Sequence, residues 1–538
     1  MDNSAEIHAA EDKVDQGWRS TPLPKNELDQ CLYQLFTHSE DLQRFAIMSS
    51  DLNAYISIHD GIKYALRTAL LLVSKQASAV SDAPFSVDWV AYKASSNFLE
   101  VADRYEAASL AFALFWKKAA TCTIKDDTFV FTPTEPEGPH VVLDLIVSEH
   151  MTPPPLETII MWLTSQTRPP PAVQSIKRTT IHLPNGRLDY SFVPKLAYQL
   201  SQQLPKGTPL LPPAWKAWDV PSGTLRRILH ALRVRCAYHL LAINQGAGRF
   251  RIQGGGVDDL LLIMSGDALQ DNIVRLLPED ASAISEVIRV LTYGTGTETP
   301  DPALQPIIPL RDDLVALPCH FILASSLQRN LLTLQARVRR TEFDAQSHLF
   351  EEGMLQDIRK LLRTSSLVWR DTIGSKGGEI DLVLGQQGSS VLVILELKWF
   401  IPAGDRDEVQ HRRKAVTLGA SQLRKKCSAV LRDLEHFKTL LGLTSPIECI
   451  QGAVVCEGFT YPTTEPCIPF SIVKKLLRER HTLTKLADFI KNQPWLPIEG
   501  EHFNTVPHAH ELGGVTFSWP GYQLTPKAGQ IALTWSGT

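Results

Sequence analysis

Four charged side chains stand in the most strand-like stretch of the chain. Residues 378–400 read GEIDLVLGQQGSSVLVILELKWF, and Glu379, Asp381, Glu396 and Lys398 interrupt an otherwise apolar pattern. Such residues are almost never fully buried unless paired or bound. Two neighbouring carboxylates repel each other and lose solvation. A divalent cation removes both costs, and Mg²⁺ is usually held by one or two carboxylates together with substrate phosphate and water. An ammonium group beside such an ion can orient water or stabilise charge growing on a phosphate. Metal, water and a cation beside the leaving charge are the parts that phosphodiester hydrolysis needs.

The elements that would position these groups follow from strand periodicity. Side chains alternate faces along a strand. Val391, Val393, Leu395, Leu397 and Trp399 share an apolar face that must be packed, and Leu392, Ile394, Glu396 and Lys398 share the other. On the preceding strand Ile380, Leu382 and Leu384 share the apolar side, with Glu379, Asp381 and Val383 opposite. The loop 385–390 suits a hairpin. Folding about its centre sets Asp381 opposite Ile394, with Glu396 as its diagonal neighbour, roughly 7–8 Å away on the same face. Glu379 is a supporting candidate on that face.

The pattern D-x₁₄-E-L-K on a hairpin that opens with GEID, preceded by a helix bearing glutamate, resembles the PD-(D/E)xK nuclease superfamily over residues 345–460. That group includes restriction endonucleases, Holliday-junction resolvases and nuclease-related NERD domains. The resemblance implies a core in the order αβββαβ, with metal held by Asp381 and Glu396 and Lys398 as the catalytic lysine. Ile380 stands where the nominal motif has proline. The superfamily also implies a glutamate on the first core helix. In LFEEGMLQDIRKLL, Glu351 lines up with Leu355, Ile358 and Leu362 at about 100° per residue, whereas Glu352 points away. Glu351 is therefore the inward carboxylate, weighed against an ordinary first-turn acid favoured by the helix dipole. Some branches carry a supporting glutamine on the helix after the hairpin, and Gln422 is its counterpart. The implied cofactor is Mg²⁺ or Mn²⁺. The implied activity is endonucleolytic cleavage of DNA, in a setting such as defence against foreign DNA. A nuclease-fold module that binds nucleic acid or a protein without cleaving it is the alternative, and an RNase is a further one.

The whole chain carries net charge −4, so no global attraction to nucleic acid is written in. Residues 405–426 differ. Arg406, Arg412, Arg413, Lys414, Arg424, Lys425 and Lys426 stand against Asp405, Asp407 and Glu408. A basic helix beside an acidic pocket suits a phosphate backbone, which makes Arg412, Arg413, Lys414, Arg424, Lys425 and Lys426 candidate DNA contacts. The competing reading is a solvated helix face.

The 538 residues predict two to four domains. The expected class is α+β and multidomain. Residues 1–20 are expected to lack structure. Residues 21–340 form a mainly helical region with short β-hairpins, broken near 150–215 by proline-rich runs. Residues 341–500 form the α/β restriction-endonuclease-like domain, and 501–538 a β tail. In detail, DDTFVFTP and HVVLDLIV read as a strand pair, Asn185-Gly186 and Asp312-Asp313 as hairpin turns, and 246–259 as a loop, having no phosphate-binding glycine pattern. His508 and His510 fall in an expected loop. The N-terminal region would select a target, partner or activator. Eight cysteines without C-x₂-C pairs read as free thiols. With no signal-peptide pattern and no apolar run long enough for a bilayer, a cytoplasmic protein without membrane contact is expected.

Overall fold

The computed structural model describes residues 4–48, 52–78, 81–151, 176, 181–184, 187–204, 206, 210–252, 256–277, 280–402, 406–479, 481–529 and 531. In chain order come helices α1 (Ser4–Arg19), α2 (Leu28–Met48), α3 (Leu52–Gln76) and α4 (Trp89–Trp116), strands β1 (Ala120–Lys125) and β2 (Thr128–Pro133), and α5 (Gly138–Met151). After them come β3 (Ile181–His182), β4 (Asp189–Tyr190), α6 (Pro194–Gln203), β5 (Lys216–Ala217), β6 (Val220–Pro221), α7 (Ser222–Phe250), β7 (Leu261–Ser265), α8 (Gly266–Val274) and α9 (Ala281–Leu291). Then follow β8 (Ile308–Pro309), β9 (Leu314–Pro318), α10 (Cys319–Ala324), α11 (Leu327–Val338), α12 (Arg340–Gln346), α13 (His348–Leu362), β10 (Val368–Ser375), β11 (Gly378–Gly385) and β12 (Val391–Trp399). The last elements are α14 (Arg406–Arg432), α15 (Leu434–Leu441), β13 (Cys449–Glu457), β14 (Cys467–Pro469), α16 (Phe470–Arg478), α17 (Leu483–Asn492), β15 (Phe503–Leu512) and β16 (Val515–Leu524). The chain is mixed α/β, with a mainly helical N-terminal region.

Two compact units result: residues 1–112, 154–344 and 510–517 in the first, and 113–153, 345–509 and 518–538 in the second. In the first unit, residues 4–19 are not structureless. α1 buries Ile7, Ala10, Val14 and Trp18, an i, i+3, i+4 stripe masked in the sequence by the polar residues between. The hairpin β8–β9 turns at Asp312 and Asp313, both with positive φ (54° and 57°), as a tight primed turn requires. The Asn185-Gly186 turn lies outside the described residues, although β3 and β4 pair on either side of it. Residues 246–250 are helix rather than loop. A Cβ on Gly246 would come within 2.6 Å of Leu188 Cδ2, so glycine there serves a close helix contact.

The second unit is built on a five-stranded sheet in the order β10-β11-β12-β13-β14. The first three strands pair antiparallel, while β12, β13 and β14 run parallel. Parallel pairing needs a long crossover, which α14 and α15 supply. Both faces are covered, which explains the nearly continuous apolar runs. On one face Leu382, Leu384, Val393, Leu395 and Leu397 pack with Ile358 and Leu362 of α13, Ile472 of α16 and Ile490 of α17. On the other, Val383, Leu392 and Ile394 pack with Val416, Ala420, Leu423 and Val430 of α14. Arg359 holds α13 to β10 through both oxygens of Asp371, at 2.7 and 2.8 Å.

HVVLDLIV is a helix, not a strand. Val142, Leu143 and Ile146 of α5 enter the same core as α13, a spacing that suits one helical face. The segment 113–153 thus belongs with residues 345–509 and not with its sequence neighbours. β1 and β2 join β15 and β16 in a four-stranded sheet of order β1-β2-β16-β15. The terminal strand pair begins at Phe503, so His508 and His510 lie on a strand rather than in a loop. Among the described residues no cysteine is bridged. Among the described residues no helix is long and apolar enough to cross a membrane.

Candidate functional site

The pairing of β11 with β12 sets Leu382 opposite Leu395, Val383 opposite Ile394 and Leu384 opposite Val393. This register is shifted by two residues from the one expected, so Val383 and not Asp381 faces Ile394. Gly385 stays in the strand, opposite Val368, so the loop begins later than expected. A Cβ there would meet Leu443 Cδ1 at 2.8 Å and Val368 Cγ2 at 3.2 Å. A slip of two preserves the face, so Asp381 and Glu396 still converge. The pairing ends at Leu382–Leu395, where Asp381 takes over with its side chain: Oδ2 accepts a hydrogen bond from the Leu397 N–H at 2.7 Å.

The alternation of β11 also breaks at Asp381. Ile380 packs with Val383 in the cluster under α14, not with Leu382 and Leu384. The neighbouring strand shows the irregularity: Thr372, next to the paired Asp371, has φ 53°. Glu379, expected to support the site, is exposed, because the break turns it away from the face Asp381 uses.

Glu396 forms the floor, with 1 % of its surface exposed. Lys398 Nζ lies 2.9 Å from its Oε1. Its Oε2 is bonded to Lys426 Nζ, which also donates to Asp381 Oδ1 at 3.2 Å. One buried ammonium therefore bridges the two carboxylates. The side chains of Asp381 and Lys398 are each 22 % exposed and form the solvent side of the site, with Glu396 and Lys426 beneath. Burial alone would lower the Lys398 pKa. The charge and hydrogen bond of Glu396, with Glu351 and Asp381 nearby, overcome this and hold it above the ordinary lysine value.

Glu351 sits in the first turn of α13, on the half-buried side, while Glu352 is exposed. Burial raises its carboxyl pKa, and Lys398 and the Trp399 N–H oppose the rise. It feels the charges of Asp381 and Glu396 as well. Phe350 stacks on Trp399 with ring centroids 3.5 Å apart and planes 8° from parallel, which fixes the helix start against the end of β12. The helix thus brings its carboxylate to the sheet end where the other charges meet.

α14 closes the opposite side. Its stripe Val416, Ala420, Leu423, Val430 faces the sheet, and Lys426 lies on that stripe. Gly419 lies against the Lys398 stem, and a Cβ there would be 3.3 Å from Lys398 Cε and 3.4 Å from Cγ. A mid-helix glycine is unfavourable by about 1 kcal/mol relative to alanine, and here it permits the approach of the helix to the lysine. Gln422, one turn from Lys426, keeps its Oε1 buried without a hydrogen-bond partner.

The expected basic face divides. Lys414, Arg424 and Lys425 are exposed, and Arg424 pairs with Glu465 at 3.0 Å. Arg412 and Arg413 are buried and do not present themselves to a phosphate backbone. Arg413 bonds Glu137 and covers the Tyr461 ring at 4.5 Å. Arg412 donates to Glu408 at 3.1 Å and acts electrostatically on Asp144. Counting charges along a helix does not separate its faces, and these arginines fall on the packed one. Lys426, expected as a DNA contact, instead completes the acidic pocket. Its i+3 spacing from Leu423 was the signal for an inward position.

Among the described residues no group of three or more His, Cys, Asp and Glu side chains is gathered to hold a metal ion. The donor chemistry nevertheless fits one: two carboxylates from adjacent strands already share a single cationic group, and hard oxygen donors are what Mg²⁺ and Mn²⁺ take. No family model, curated protein or solved structure matches the chain.

Proposed function

We propose that the second unit is a metal-dependent nuclease of the PD-(D/E)xK type, acting on DNA. The observation that carries this reading is the sharing of one ammonium group by Asp381 and Glu396, with Lys398 alongside and Glu351 at the rim. The order α13-β10-β11-β12-α14-β13, with the short α15 added between α14 and β13, agrees with it. Asp381 and Glu396 would hold Mg²⁺ or Mn²⁺, which supplies Lewis-acid activation of a phosphodiester. Lys398, on the solvent side and anchored to Glu396, offers positive charge to an incoming phosphate and to the charge that grows on it. The N–H of Leu397 fixes the rotamer of Asp381. Glu351 adds a third carboxylate able to accept a hydrogen bond from an attacking water. The exposed Lys414 and Lys425 give the backbone of a nucleic acid electrostatic contacts.

The test is nicking of supercoiled plasmid by the full chain with Mg²⁺ or Mn²⁺. Loss on the order of 10²–10³-fold in Lys398→Ala and Asp381→Asn is expected, and cleavage that survives both would refute the reading. Competition between DNA and RNA distinguishes an RNase. A second reading, a silent module that binds nucleic acid or a protein, is favoured by the internal charge balance that Lys426 provides. It predicts a DNA mobility shift with no metal-dependent nicking and no heat of metal binding in calorimetry. The first unit would serve as the region that selects a target, partner or activator.

A further inference from the structure

The four inner groups of the acidic pocket pair off in formal charge. Two carboxylates, Asp381 and Glu396, face two ammonium groups, Lys398 and Lys426. The two lysines are not equivalent. Lys398 stands on the strand, on the solvent side, and touches one oxygen of one acid. Lys426 comes from the opposing helix, is 6 % exposed, and is bonded to both acids. It interrupts an apolar stripe of α14 at a place where Leu423 and Val430 show that hydrocarbon packs. A divalent ion shared by the same two oxygens would meet the Lys426 ammonium head-on, because like charges cannot occupy one low-dielectric space. A lysine head on a flexible four-carbon stem can leave without moving the helix. One turn away, the buried Oε1 of Gln422 has no donor and offers an acceptor on the same helix.

We propose that Lys426 is a tethered cation that occupies the place of the divalent ion, holds the pocket closed to it, and withdraws when an ion binds. This rests on the reading of the pocket as a metal site. It makes ion entry an exchange of one cation for another, so ion affinity is set by how firmly Lys426 is held.

Two measurements on the full chain test it. In calorimetric titration with Mn²⁺ and with Ca²⁺, Lys426→Met should bind at least tenfold more tightly than the unaltered protein. Lys360→Met, an exposed change on α13, should match the unaltered protein. Because Lys426→Met leaves two carboxylates short of a counter-charge, its melting temperature without ion should fall and recover when Ca²⁺ is added. The second measurement needs no variant. Reductive methylation read by mass spectrometry should leave Lys426 unmodified without ion and modify it once Ca²⁺ or Mn²⁺ is bound. Equal ion affinity in Lys426→Met and the unaltered protein, or a Lys426 that stays protected while an ion binds, overturns the exchange and leaves the metal site standing. Failure of both proteins to bind either ion overturns the exchange and the metal reading together.

Discussion

Glu40 and Glu396 are both fully buried glutamates, one in each unit, and they are kept by opposite means. Glu40 accepts backbone N–H donors at the start of α10, from His320 at 2.7 Å and Phe321 at 2.9 Å. Burial pushes its carboxyl up to about 8 against the pull of those donors. Glu396 instead lies between two lysines on separate elements. Backbone donors cannot be exchanged without unfolding the helix they belong to. Side-chain cations can be exchanged, and a carboxylate pair held by cations is open to a competing one. The contrast separates an acid that serves the fold from an acid that can serve chemistry, at equal burial.

The most forceful way to break this comparison is truncation. Glu396→Ala leaves the buried Lys426 with Asp381 alone and removes the partner of Lys398, and should cost the second unit ~3 kcal/mol, read as an early transition in urea unfolding. Glu40→Gln keeps one of the two acceptor oxygens for the N–H donors and should cost about 1 kcal/mol. Equal losses would erase the distinction.

Next in size is the response to pH. Burial also pushes Asp144 up to about 7, against hydrogen bonds from Thr460 and the charge of Arg412. For Glu40 and Asp144 the folded-state pKa lies above the unfolded one, so the folded chain binds more protons. Their contribution is complete below the ordinary carboxylate range and is lost as pH rises through about 7 to 8. Calorimetric melting should fall by the equivalent of a few kcal/mol between about pH 5 and about pH 9. Glu40→Gln should flatten the fall in the first unit and Asp144→Asn in the second.

A smaller effect is expected at Gly419. Alanine gains about 1 kcal/mol of helix propensity and loses ~1–3 kcal/mol by crowding Lys398. Stability should therefore fall by about 0–2 kcal/mol, while plasmid nicking falls because the Lys398 head is displaced. An unchanged nicking rate would show that the helix does not aim that lysine. The smallest effect is expected at the surface. Lys425→Ala should leave melting unchanged and lower the salt slope of DNA binding by about 1. Arg413→Ala should lower melting and leave that slope alone.

The hairpin and its charged residues were legible because strand alternation assigns faces without knowledge of partners. Their register was less so: the hairpin sequence does not say whether Gly385 belongs to the strand or the loop, and the side chain packed against it, Leu443, lies far along the chain. Glu351 was legible from its phase with Leu355 and Ile358. Lys426 carried the same kind of signal, obscured by reading the basic run as a single face. The burial of Arg412 and Arg413 could not be read locally, since their partners include Glu137 and Asp144. HVVLDLIV misled because a short apolar run fits either periodicity, and the core that selects a helix is supplied by residues 345–509.

The placement of residues 113–153 has a consequence for how the protein is made. Val142, Leu143 and Ile146 fill a core whose other walls lie some two hundred residues downstream. During synthesis this segment leaves the ribosome with its hydrocarbon face uncovered and waits for its sheet. Long loops must close before those contacts reward the chain, which slows assembly and lengthens exposure to aggregation. A C-terminal fragment cut near residue 341 would inherit the complementary defect: an intact set of charged residues over a core with one wall missing.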